Sequence, residues 1–147
     1  MSRETTIATL PDQRIVKFIK RHHVLTLATT NEAGEPYVAN CFYAYDKERN
    51  RLIFTSDDST RHAQQMLENK KVAIGITLET RIVGKVQGAQ ICGIAERGDE
   101  KDKATYIKRF PYAAVAPLNI WAVEPTFIKL TDNTLGFGKK LIWNSQE

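Results

Sequence analysis

Residues 24–56 read VLTLATTNEAGEPYVANCFYAYDKERNRLIFTS. Three runs rich in β-branched and aromatic residues, 24–30, 37–46 and 51–56, stand out as strands. NEAGEP, residues 31–36, reads as a turn around Gly34, and KERN is a second turn. Links this short join antiparallel neighbours and cannot hold a crossover helix. A parallel nucleotide-binding sheet is therefore excluded, and neither GxGxxG nor GxxxxGK occurs.

Outward from this meander the pattern continues. PDQRIVKFIKRHH spaces Ile15, Phe18 and Ile19 at helical intervals, which predicts a helix over 11–22. A helix is expected over 59–69, a fourth strand over 72–78 and a fifth over 83–96. The fifth carries Gly84, Gly88 and Gly93, residues that suit bends or bulges in a closing sheet. A charged helix over 99–111 and a sixth strand near 119–131, with a possible break at Pro125, complete the order. GFGKKLIW suggests a short edge strand at the end. A small closed or partly closed barrel with peripheral helices fits this succession.

The totals narrow the class. The chain has 147 residues, 42% hydrophobic and 26% charged, as in a folded single domain spanning 1–147. No run approaches a membrane span, and the N-terminal stretch has no apolar signal core, so a cytoplasmic location is expected. Cys41 and Cys92 lack metal or redox spacing and are expected as buried thiols. With three histidines besides, no metal site is expected. The 21 basic and 17 acidic residues give +4, too mild to imply nucleic acid. Lys17, Lys20 and Arg21 read as the solvated side of the first helix.

The chemistry-bearing stretch is IFTSDDSTRHAQQM, residues 53–66. A strand runs straight into a helix start, where first-turn N–H groups lack partners and the helix dipole favours an anion. Asp58 or Ser59 is the expected cap. Ser59 and Thr60 add hydroxyls, Arg61 a guanidinium fork and His62 a further donor, together a possible phosphate cup. The plainer alternative is a capped surface helix with a solvated Arg61. In residues 37–46, alternation places Val38, Asn40, Phe42 and Ala44 on one face and Tyr37, Ala39, Cys41, Tyr43 and Tyr45 on the other. Asn40 satisfies either a neighbouring group or the polar edge of a flat ligand. Tyr106, Arg109 and Tyr112 either line an entrance or pack and solvate the second charged helix.

LATT, YVANCFYAYD, LIFTSDDSTRHAQQM, VAIGI, GKVQGAQICGIAE and the ending TDNTLGFGKKLIW together resemble the flavin-binding split-barrel proteins related to pyridoxamine-phosphate oxidase. Within them, the chain resembles the YhbP-like family. The resemblance covers nearly the whole chain. It implies a six-stranded antiparallel split β-barrel with peripheral helices, a homodimer, and flavin mononucleotide (FMN) in a cleft between protomers. It places the phosphate near Thr55, Ser56, Ser59, Thr60, Arg61, His62 and Gln65, and the ring near Asn40 and Thr29. Trp121 and Lys140 are further contributors to the cleft. Relatives often carry lysine where Arg61 stands, and some hold haem or a deazaflavin instead. The implied activities are an FMN-dependent oxidoreductase acting on a small-molecule redox substrate, or a flavin or phosphorylated-heterocycle binder without turnover. A cofactor-free interaction dimer is the remaining alternative. No catalytic residue follows from the pattern, and neither nucleic acid nor membrane is an expected partner.

Overall fold

In the computed structural model, which describes residues 10–136 and 138–145, one antiparallel sheet of eight strands forms the body. The strands are β1 (Val24–Thr30), β2 (Pro36–Phe42), β3 (Ala44–Asp46), β4 (Arg51–Thr55), β5 (Lys71–Leu78), β6 (Gln87–Arg97), β7 (Ile120–Asp132) and β8 (Lys140–Asn144). Their order is β2-β1-β5-β6-β7-β4-β3, with β8 beside the second half of β7. This is the expected split-barrel class with eight strands in place of six.

The first extra strand arises inside YVANCFYAYD. Alternation runs through the segment unbroken, yet the chain changes partner at Tyr43: β2 pairs with β1 and β3 pairs with β4. Tyr43 is fully buried at this corner. Its N–H donates to the His23 carbonyl at 3.0 Å and its hydroxyl to the Ile19 carbonyl. The second extra strand is the anticipated C-terminal edge, although Phe137 of GFGKKLIW lies outside the described residues.

The fifth expected strand starts later than its apolar pattern, because Val83–Lys85 forms a 3-10 turn. Of its glycines only Gly93 marks a bulge. The β6–β7 register shifts there, so that Gly93 faces Pro125 and Cys92 faces Phe127. A Cβ on Gly93 would stand 2.7 Å from the Glu124 carbonyl oxygen and from a Val123 methyl. This bulge lets β7 continue through Pro125 without a break.

Among the described residues three α-helices surround the sheet. In α1 (Gln13–Arg21), Asp12 accepts from the Arg14 N–H at 2.8 Å, and Ile15, Val16, Phe18 and Ile19 are buried. Burying such side chains is worth about 1.5–3 kcal/mol each, enough to fix a helix too short to persist alone. α2 (Arg61–Glu68) buries Ala63, Gln65 and Met66. The main core joins α1 and Met66 to the inner sheet face. α3 (Glu100–Arg109) lies outside β3, β4 and β7, where Tyr106 and Phe110 cover Ala44, Ile53 and Ala122. Ala44 is therefore buried by α3, although it shares a strand face with exposed residues in the sequence pattern. Cys92, expected inside, is exposed, because it takes an outward position of β6.

α3 is tied to the β3–β4 hairpin by charge. The Asp102 carboxylate, fully buried, accepts from Arg49 Nη2 at 2.6 Å and Arg51 Nη2 at 2.8 Å. Arg49 also holds Asp46, and Arg51 reaches Glu96. Burial alone would raise the Asp46 carboxyl pKa, but the Arg49 hydrogen bonds overcome this and leave it below its ordinary range. No helix among the described residues is long and apolar enough to cross a membrane.

Candidate functional site

β4 ends at Thr55 and α2 begins at Arg61, so five residues make the junction. The cap is Thr60, not Asp58 or Ser59: its Oγ1 accepts from the Ala63 N–H at 3.3 Å and donates to the Asp57 carbonyl at 2.7 Å. Asp57 turns inward on the loop, where its Oδ1 accepts from the Ser59 N–H and hydroxyl, each at 2.8 Å. These bonds hold the Asp57 carboxyl below its ordinary pKa. Asp58 pairs with Arg97 at 2.9 Å. The hydroxyls of Ser59 and Thr60 are thus spent on building the turn.

Arg61 is left over. Its guanidinium is exposed, has no carboxylate partner among the described residues, and lies 4.5 Å from the Tyr37 ring centroid. Stacking on an aromatic face orients the fork while leaving its donors available. Of the first-turn N–H groups, Ala63's goes to Thr60 Oγ1 and Gln64's to the Thr60 carbonyl, which leaves those of Arg61 and His62 beside the fork. Arg97 lies over Trp121 at the same distance of 4.5 Å, but its charge is engaged by Asp58.

Beneath the junction the polar groups point inward. Ser56 is buried and shares a 2.7 Å hydrogen bond with His62 Nε2. Burial lowers the His62 pKa, which keeps the ring neutral at neutral pH. Burial also pushes the Cys41 thiol up to about 11, with the adjacent Ser56 hydroxyl acting in the opposite sense. Thr29 is buried and donates to Gln65 Oε1 at 2.7 Å. Burial raises the pKa of the Tyr106 phenol, and the nearby Thr55 hydroxyl acts in the opposite sense.

On the opposite surface of β1 and β2 lies a different environment. Val24, Val38 and Phe42 are exposed, Val38 by 59%. Asn40 sits among them, and its Oδ1 accepts from Thr26 Oγ1 at 3.0 Å. Thr29 and Asn40 therefore occupy opposite faces of the sheet. Trp121 is buried in the core, and Lys140 is exposed with its ammonium on the Gly138 carbonyl. Tyr106 packs inside, Arg109 donates to the His22 carbonyl, and Tyr112 is exposed. The structure thus gathers Ser56, Thr60, Arg61, His62 and Gln65 about one junction, while Asn40 stands on the adjoining outer face. Tyr37, Thr26 and Arg97 were not anticipated, since nothing local in sequence links them to residues 14 to 39 positions away.

The family model for pyridoxamine 5'-phosphate oxidase matches residues 11–131. The chain belongs to the pyridoxamine 5'-phosphate oxidase family. Within it, the UPF0306 protein YhbP of Salmonella schwarzengrund (strain CVM19633) is 40% identical over 133 residues, covering 88% of this chain and 90% of that one. That likeness makes it a YhbP-like member. A heme binding protein from Mycobacterium smegmatis superposes with a TM-score of 0.70 at 16% identity, over 84% of this chain and 53% of that one, so this chain spans about half its length. A FAD-binding protein from Mesorhizobium loti gives 0.67 at 15% identity, over 80% and 90% of the two chains. Both likenesses establish the split-barrel fold of this family member.

Proposed function

We propose that the protein is a cytoplasmic, homodimeric FMN-binding oxidoreductase for a small-molecule redox substrate. The observation that carries this is Arg61, a guanidinium without a carboxylate partner among the described residues, held over Tyr37 at the start of α2. The donor set fits a terminal phosphate: a bidentate fork beside the backbone N–H groups of Arg61 and His62. The outer face of β2 fits a flat ring, with Val38 and Phe42 as apolar wall and Asn40 as polar contact. Haem has less support at this junction, where the one histidine, His62, has its Nε2 engaged by Ser56.

When bound, the flavin would supply the hydride or electron chemistry. Arg61 would fix its phosphate, and Asn40 would donate to the polar edge of its ring. Neutral His62 would support the junction through Ser56 and leave the positive charge of the cup to Arg61. The exposed apolar face of Val24, Val38 and Phe42 fits coverage by a second copy, closing a cleft over the ring. A binder without turnover is the second reading, favoured by the engagement of His62, which leaves the cup without a free acid or base.

The test is visible absorption after adding FMN and exchanging the buffer. Retained bands near ~370 and ~450 nm are expected from a bound flavin. Arg61→Ala removes charge-assisted hydrogen bonds worth about 1.5–3 kcal/mol, or roughly ten- to a hundred-fold in Kd. Wild-type protein that keeps no flavin refutes the proposal. Retained flavin that a nicotinamide donor does not reduce favours the binder.

A further inference from the structure

Away from the cup, two adjoining hollows share Lys20. One, of about 410 Å³, lies between α1, β3 and α3 and is lined by Lys20, Lys108 and Arg109. The other, of about 290 Å³, adds Lys17, Arg21 and Lys47. Six of the chain's 21 basic side chains and two of its 17 acidic ones line the pair, leaving fifteen of each elsewhere. The two linings together carry +4, as much as the formal net charge of the whole chain.

The two carboxylates do little to offset it. Asp46 is occupied by Arg49, which reaches Oδ2 at 2.7 Å and donates its backbone N–H to Oδ1 at 3.1 Å. Glu48 remains. Lys20, Arg21, Lys108 and Arg109 stand in the last turns of α1 and α3, where cations complement the helix dipole. Two helix ends represent only about one negative charge in all, far short of six cations. Among the described residues none of the six forms an ion pair. Arg109 is also pre-positioned, since it donates to the His22 carbonyl at 2.8 Å and lies 5.7 Å from the Tyr43 ring centroid. Fixing a long cation in advance reduces the ordering cost of binding.

We infer that these hollows form a second anion site, independent of the flavin cup, for a small ligand bearing condensed phosphate: two or more phosphoryl groups in a row. One phosphate would engage only part of a cluster that spans both hollows. A nucleic-acid strand fits less well, because Phe18, Tyr43 and Tyr45 beside the cations are buried and offer no stacking platform for bases.

Calorimetric titration with inorganic tripolyphosphate at about 0.15 M salt tests the site, under conditions where non-specific surface attraction is largely screened. One site per chain is expected, with orthophosphate much weaker. Lys20→Gln combined with Lys108→Gln should weaken tripolyphosphate at least about tenfold, by loss of two phosphate contacts. Both positions are exposed, so unchanged circular dichroism should confirm the fold. Arg61→Ala should leave this binding unchanged even if it abolishes flavin retention, which separates the two sites. A nucleoside triphosphate that binds more tightly than tripolyphosphate identifies a nucleotide as the source. Equal affinity identifies the phosphate chain alone. No binding by the wild type, or binding unaffected by the double substitution, overturns the inference. So does tighter binding of an oligonucleotide with a steep salt dependence.

Discussion

Replacing Asp102 by asparagine keeps the shape of the side chain and removes its charge. Both carboxylate oxygens are committed: Oδ1 accepts from Arg49 Nη2 at 2.6 Å and Arg51 Nε at 3.1 Å, and Oδ2 from Arg51 Nη2 at 2.8 Å and the Asp99 N–H at 2.9 Å. Whichever way the asparagine amide turns, its NH2 meets two donors. Arg51 is only 11% exposed and keeps a single acidic partner in Glu96, while Asp102 itself is 0% exposed. Breaking a buried pair from one side typically costs about 3–5 kcal/mol. For a domain of this size that corresponds to a fall in Tm of roughly 6–20 °C. Asp99→Asn is the internal comparison. Asp99 belongs to the same capping box, but asparagine caps a helix about as well and the Asp99 side chain is 59% exposed, so the change removes only its exposed pair with Arg49 and should cost no more than about 1 kcal/mol. Urea unfolding of the two variants measures the difference. If Asp102→Asn is no more than about 1 kcal/mol worse than Asp99→Asn, the arginine cluster does not fasten α3 to the hairpin as argued.

Two further outcomes follow from local geometry. Gly93→Ala should destabilise by about 1–3 kcal/mol, since its methyl meets backbone at 2.7 Å, whereas Gly84→Ala, with nothing within 4 Å, should be near neutral; thermal unfolding of both decides it. His62 and His22 have pKa values lowered by burial, so the unfolded chain binds more protons than the folded one just below the ordinary histidine value. Stability should therefore be full above about pH 6.5 and decline as pH falls below it; His62→Gln should flatten that slope, and an unchanged slope refutes the assignment.

Much of the fold was legible because the physical signals were local. Ile15, Phe18 and Ile19 at helical spacing made α1, and the short links around β1, β2 and β4 made the antiparallel core. The corner at Tyr43 left no mark, because side-chain alternation persists through a change of partner strand. The helix cap was ambiguous for a different reason. Asp57, Asp58, Ser59 and Thr60 are all good cap residues, and only the turn that Asp57 makes with Ser59 selects Thr60. Cys92 was misplaced because the expectation of a buried thiol rested on residue type, which does not say which face of its strand the core takes. At the candidate site, residues 55 to 65 were legible as a strand-to-helix junction, but the pairing of Arg61 with Tyr37 and of Thr29 with Gln65 required the strands to be brought together.

β2 and β3 stand at opposite ends of the sheet order, yet Tyr43 alone separates them in the chain. The split in the barrel is therefore a seam with a covalent stitch at that corner. Asn40 lies three residues to one side of the stitch, and the β4 strand that leads to Arg61 is hydrogen-bonded to the other. Away from the corner the seam is bridged a second time, by Arg61 stacked on Tyr37 of β2, so the two lips are joined at both places.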